Sequence, residues 1–143
     1  MDDEDVIRLR RIIVRLARQL NASSTGEGLT PSQPSVLGLI VARGPLSLAN
    51  LGNLEGLNPT MLSRVVGRLH ATNLITRSPG SSDLRTASVT ATATGTLTGK
   101  RIQEQQRAVV SRCLELLDNS RETVLIEALP VLEELAGMLQ RAV

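Results

Sequence analysis

The sequence has 143 residues, 41% hydrophobic and 21% charged, with a net charge of +2, which fits one globular domain and excludes a disordered chain. Phe, Tyr and Trp are absent, so a core of Leu, Ile, Val and Ala lacks the largest contributors of buried area and favours sharing apolar surface with a second copy. One cysteine, Cys113, permits no internal disulfide, the start Met1-Asp2-Asp3-Glu4-Asp5 has the wrong sign for a secretory leader, and no apolar run is long enough to span a bilayer.

In chain order, residues 5–22 have the pattern of an amphipathic helix. Val6, Leu9, Ile13, Leu16, Ala17 and Leu20 share one face, with Arg8, Arg11, Arg15 and Arg18 opposite. Ile7, Ile12 and Val14 widen the apolar arc beyond one core face, which predicts packing against two neighbours. Ser23 to Gly28 is a loop. A second helix is expected from Thr30, with Pro31 at its first position and Gln33 placed for a capping box, ending at Gly44-Pro45. Ser47 then caps a short helix from Leu48 to about Glu55, followed by a tight Gly56-Leu57-Asn58 turn.

The segment Pro59 to Thr72 is the most regular. Asn58 is a good N-cap, Pro59 a good first residue and Asn73 a left-handed terminator. Leu62, Val65, Val66 and Leu69 form one buried stripe, which leaves Thr60, Arg64, Gly67 and Ala71 outside, flanked by Ser63 and Arg68. Residues 75–78 and 86–91 are rich in Thr, Val and Ser and flank the turn-forming Pro79–Leu84, so they predict a hairpin. A long helix follows from Thr92 to about Asn119, then a last one from Glu122 to Ala142 in which Pro130 is placed to make a kink.

Two helices joined by a tight turn and followed by a hairpin form a device that fits the major groove of B-DNA. The first helix of the pair braces the second, and small residues on the second allow close approach while Arg64 and Arg68 reach a guanine edge or a phosphate. Any surface helix also displays Arg, Ser and Thr, so this face alone decides nothing. Between Arg43 and Arg85 five arginines stand against Glu55 and Asp83. Arg85, at the hairpin tip, is placed for the minor groove or a phosphate, with Asp83 either holding it or forming an incidental pair. His70 meets a phosphate or closes the helix end, and the latter is favoured.

The run from Leu51 to Gly95 resembles the multiple-antibiotic-resistance-regulator (MarR) family of bacterial repressors. The resemblance rests on Leu51, Gly56-Leu57-Asn58-Pro59-Thr60, Arg64, Arg68-Leu69, Leu74-Ile75 and Arg77. It continues through Asp83-Leu84-Arg85, Val89-Thr90, and Thr92 with Gly95. Asn73 stands where the family usually has Gly, Gly52 where Ala is usual, and Ala91 where a larger aliphatic is usual. The resemblance implies a winged helix-turn-helix of mainly α class with a small β-wing. It also implies an obligate homodimer joined through its N- and C-terminal helices, and a pocket for a small-molecule effector between dimer interface and DNA-binding lobe.

On this basis the chain is expected to be one domain. Residues 6–22 and 94–143 are its dimerisation helices and residues 30–92 its DNA-binding lobe. The expected partners are double-stranded DNA carrying a pseudo-palindromic operator, a second copy, and a small-molecule effector. The residues expected at DNA are Ser47, Asn58, Thr60, Ser63, Arg64, Arg68, Arg77, Asp83 and Arg85. The function expected is a transcriptional repressor in the cytoplasm, at the nucleoid. The alternative is a helical dimerisation protein whose winged domain binds protein, or DNA without sequence preference. No cofactor or metal is expected, because one His and one Cys are too few ligands. An enzyme is not expected either: Ser63 and His70 lie seven residues apart on a helix, about 10 Å along its axis, too far for direct contact in a triad with Asp83. Cys113, among Val109, Val110, Leu114 and Leu117, is expected to be a buried small hydrophobe rather than an oxidant sensor.

Overall fold

The computed structural model describes residues 1–24, 28–78 and 87–142. The expected hairpin turn at 79–84, with Asp83 and Arg85, lies outside the described residues, as does part of the loop after the first helix. Helix α1 spans Asp3–Ala22 and begins two residues earlier than its apolar periodicity indicates. Asp2 is the cause: its Oδ1 accepts the Asp5 N–H at 2.8 Å, and Asp3, Glu4 and Asp5 complement the positive helix end.

Helix α2 spans Gln33–Arg43, which corrects the expected start at Thr30. Residues 30–32 form a turn instead, with the Gln33 N–H bonded to the Thr30 carbonyl at 3.0 Å. One arm of the capping box survives, since Gln33 Oε1 accepts the Thr30 N–H at 3.2 Å. With this start Pro34 occupies the second helical position, where its missing N–H has no helical partner to lose. Helix α3 (Leu48–Glu55) is capped by Ser47, whose Oγ accepts the Asn50 N–H at 3.1 Å, and it ends on Gly56 in the left-handed region at φ 64°. Helix α4 (Pro59–Ala71) starts where Asn58 Oδ1 accepts the Met61 N–H at 2.9 Å. Asn73, at φ 62°, turns the chain out of the helix as its sequence position predicts.

Three antiparallel strands follow the order β1 (Leu46–Ser47), β3 (Ser88–Ala91), β2 (Ile75–Ser78). The β2–β3 pair is the expected hairpin, with Arg77 opposite Val89 and Ile75 opposite Ala91. Strand β1 was not expected. It comprises only Leu46 and Ser47, paired with Val89 and Ser88, and so carries no alternating pattern to detect. The core gathers Val36, Leu37 and Ile40 of α2, Leu51 of α3, and Leu62, Val65, Val66 and Leu69 of α4. Leu74, Ile75, Val89 and Ile102 close it. It belongs almost wholly to the segment between the terminal helices.

Helix α5 (Ala93–Leu114) packs against this core along its first half, as far as Ile102, and is anchored at its start. Thr92 Oγ1 donates to the Asn73 carbonyl at 2.7 Å and accepts the Gly95 N–H at 2.9 Å, while the Thr92 N–H reaches the Leu74 carbonyl at 3.1 Å. Gly95 is required there: a Cβ would lie 1.8 Å from the Leu74 carbonyl oxygen. The helix ends at Leu114, not near Asn119 as expected, and α6 (Asn119–Ala142) starts before the expected Glu122. Asp118 makes the break. Its Oδ1 accepts the Ser120 hydroxyl at 2.7 Å and the Arg121 N–H at 2.9 Å, which nucleates a new helix, and the same bonds hold its carboxyl below the usual carboxylate range. Helix α6 continues through Pro130. Cys113 is exposed, which corrects the expected buried role: of the apolar residues around it Val110 is exposed and Val109, Leu114 and Leu117 are only half-buried.

The terminal helices form arms without a core of their own. Neither α1 nor α6 has a buried residue, and the buried positions of α5 stop at Ile102. Leu16 is 60% exposed and Val131 65%. Polar bonds link α5 to the end of α1 and the residues after it: Gln106 Nε2 donates to the Leu20 carbonyl at 3.1 Å and to Ser24 Oγ at 2.8 Å.

Candidate nucleic-acid interface

Helix α4 sorts its side chains as the periodicity requires. Leu62, Val65, Val66 and Leu69 are buried, while Thr60, Ser63, Arg64, Arg68, His70 and Ala71 are exposed and Gly67 is half-exposed. The arginines are available for a ligand. Among the described residues neither Arg64 nor Arg68 forms an ion pair, whereas Arg107–Glu104 and Arg121–Asp118 pair in the arms, remote in sequence from α4. The end of α4 is closed by Thr72, whose Oγ1 donates to the Arg68 carbonyl at 2.9 Å and whose N–H donates to the same oxygen at 3.1 Å, while the Asn73 N–H donates to the His70 carbonyl and the Leu74 N–H to the Leu69 carbonyl. These bonds close the helix end without the side chain of His70, which is exposed.

Of the nine residues expected at DNA, the structure brings seven into one region. Thr60, Ser63, Arg64 and Arg68 share the outer face of α4, and Arg77 is exposed on β2 beside it. Ser47 and Asn58 stand at the N-termini of α3 and α4, where each side-chain oxygen accepts a helix N–H. Their first task is therefore to fix these helix ends, where unpaired N–H groups and the helix dipole together favour a phosphate. Asp83 and Arg85 lie outside the described residues.

Two features of the region are absent from the sequence-based set. A cleft of about 490 Å³ runs between α3 and α4, lined by Leu48, Leu57, Leu62 and Val66 with Ser63 and Arg77 at its edge. At its floor Gly52 stands close to α4: a Cβ there would lie 3.2 Å from Leu62 Cδ2 and 3.4 Å from the Leu57 carbonyl oxygen. Glycine at this position therefore permits a close approach of the two helices rather than merely loosening their packing. The second feature is Met61, exposed on the first turn of α4. It falls off the buried stripe and is not polar, so a pattern search for core residues or for polar DNA contacts passes over it.

A helix pair with an exposed, cation-bearing second helix, followed by a β2–β3 hairpin that packs with β1 against the same core, defines a winged helix-turn-helix protein. Residues 29–87 match the MarR family. The HTH-type transcriptional repressor MdtR of Bacillus subtilis (strain 168) is 22% identical over 111 residues, spanning 78% of this chain and 72% of that protein. Among solved structures, RV1404 from Mycobacterium tuberculosis is 27% identical, with 96% of each chain covered and a TM-score of 0.74. A probable transcriptional regulator from Pseudomonas aeruginosa is 28% identical, with 92% of this chain and 98% of that one covered and a TM-score of 0.68. The likeness to solved structures thus extends through the terminal helices as well as the winged lobe.

Proposed function

We propose that the protein is a homodimeric transcriptional regulator that binds double-stranded DNA sequence-specifically, acting as a repressor that a small molecule relieves. The observation that carries this proposal is the division of α4: an aliphatic seam turned into the core, and an outer face of small residues and exposed arginines that pair with no acid among the described residues. The MarR-family match and the likeness to a named repressor support it. The assignment of Thr60, Ser63, Arg64 and Arg68 to base edges or phosphates, of Ser47, Asn58 and Arg77 to the backbone, and of Arg85 with Asp83 to the wing contact belongs to the same proposal. A cytoplasmic site at the nucleoid follows from it; among the described residues no helix is long and apolar enough to cross a membrane.

The dimer is supported by area. The chain exposes 10326 Å², whereas a compact monomer of this mass exposes about 7,100 Å². Most of the uncovered apolar side chains lie on α1 and α6, and obligate homodimers bury about 2,000–5,000 Å² in total, which would take up much of the excess. Residues 6–22 and 94–143 therefore serve as dimerisation helices and 30–92 as the DNA-binding lobe. A two-fold dimer places two α4 helices in successive major grooves of a pseudo-palindromic operator, roughly 34 Å apart. The effector is assigned to a cavity of about 520 Å³ between α1, α2 and α5, lined by Leu20, Val41 and Ile102 with Asn21, Lys100 and Gln106. It lies where the arms meet the DNA-binding lobe, so filling it changes the spacing of the two α4 helices.

The test is selection of bound sequences from a random duplex library, followed by titration of the enriched duplex against a scrambled one. The proposal requires the enriched duplex to bind about 10³-fold or more tightly than the scrambled one. Equal affinities would overturn it in favour of a dimerisation module with unspecific binding.

A further inference from the structure

Large exposed hydrophobic side chains are not spread evenly over the described residues. Beyond Met1, those on α1, α5 and α6, and Leu116 in the turn between the last two, belong to the arms. Met61 is the exception. It is 46% exposed and sits on the first turn of α4, within a lobe whose other described large apolar residues are buried or half-buried. Its backbone is fixed, because Asn58 Oδ1 accepts its N–H at 2.9 Å. At helical spacing Arg64 follows three residues later and Arg68 seven, so all three side chains lie along one side of the helix.

The inference rests on the DNA-reading role proposed above and concerns what that face reads. The N-terminal residues of a recognition helix meet base edges. In the major groove the one apolar group that a base edge offers is the 5-methyl of thymine. Methionine is unbranched and polarizable, so it can mould itself to such a group, and it makes no hydrogen bond that a wrong base would satisfy. Arg64 lies about 4.5 Å further along the helix axis, a little over one base step of about 3.4 Å. We propose that Met61 is a specificity-determining residue that packs on the 5-methyl of a thymine, within two base pairs of the guanine contacted by Arg64.

The test uses the full-length protein and the duplex enriched from the random library. Each thymine of one half-site is replaced in turn by deoxyuridine, which removes the methyl group and leaves every hydrogen-bonding edge unchanged. Wild type should lose about fourfold in affinity at one or two positions, the worth of one buried methyl group. Those positions should fall within two base pairs of the site at which Arg64→Ala relaxes guanine preference. The loss should vanish in Met61→Ala and persist in Met61→Leu, with both variants unfolding at the wild-type midpoint. The proposal is overturned if uracil costs nothing at any position, or if Met61→Ala shows the same loss as wild type. Failure of wild type to enrich any duplex would instead bring down the DNA-reading role itself, and this inference with it.

Discussion

Gly95→Ala is a severe perturbation that sequence propensity alone would call favourable. An added Cβ would lie 1.8 Å from the Leu74 carbonyl oxygen, 2.8 Å from its carbon and 3.2 Å from Leu74 Cα, all backbone atoms that no side-chain rotation can move. The start of α5 must therefore back away from the Asn73-Leu74 turn between α4 and β2. In doing so it strains two bonds that hold them together, Thr92 N–H to the Leu74 carbonyl at 3.1 Å and Thr92 Oγ1 to the Asn73 carbonyl at 2.7 Å. Two such bonds contribute about 1 kcal/mol each, and overpacking a close-packed junction costs about 1–3 kcal/mol. The better helix propensity of Ala returns at most about 1 kcal/mol, so the net loss is about 2–4 kcal/mol. Urea denaturation at fixed protein concentration should show this as a lowered midpoint, with a fall in thermal midpoint on the order of 10 °C. Gly99→Ala is the control: its Cβ would meet Val41 Cγ2 at 3.0 Å, a side chain with room to adjust, and should cost under about 1.5 kcal/mol. If Gly95→Ala matched wild type, or Gly99→Ala proved the worse, the reasoning about this junction would be refuted.

Four further outcomes are expected. Arg64→Ala should cost about 1–3 kcal/mol on the enriched duplex and relax preference at one base pair, read by competition with single-base variants. Arg85→Ala should weaken binding to all sequences alike and lower the salt slope by about one, read by titration at several salt concentrations. Leu16→Glu or Val131→Glu, each on an exposed apolar face of an arm, should shift the protein towards monomer in sedimentation while leaving the winged lobe folded. Asp118 ionises more readily in the folded chain than in the unfolded one, so its contribution is fully present above the unfolded carboxylate pKa of about 3.9 and is lost as pH falls through the lower folded value. Protection factors of the amides at the start of α6, which divide out the intrinsic pH dependence of exchange, should therefore fall in acid for wild type, and Asp118→Asn should abolish most of that fall.

The winged lobe was legible because its signals are local. Ser47, Asn58, Pro59 and Gly56 mark helix ends within a few residues, and the structure uses each as its chemistry predicts. The seam of Leu62, Val65, Val66 and Leu69 depends only on periodicity and one core, so it too was readable. The over-wide apolar arc of α1 was equally visible, and the structure leaves that arc uncovered within one chain. Other features depend on tertiary context. Strand β1 exists because two residues happen to lie beside β3, and nothing in Leu46-Ser47 announces a partner more than forty residues away. The α5–α6 break depends on Asp118 outcompeting a continuous helix, and an aspartate within a helical pattern does not declare itself a cap. Apolar neighbours suggest burial for Cys113, but in the single chain they are themselves exposed or only half-buried. Met61 escaped because it fits neither of the two categories searched, core or polar contact.

The central claim is where the outer face of α4 lies on bound DNA, and tethered cleavage tests it most directly. In a Cys113→Ser background, Ser63→Cys carries an iron chelate that cuts DNA within a short radius, with the enriched duplex as substrate. Two clusters of cuts centred in major grooves, about 10 base pairs or one helical turn apart, are predicted. Cuts scattered evenly along the duplex, or none in a complex that still forms, would contradict the claim that α4 is the element that reads sequence.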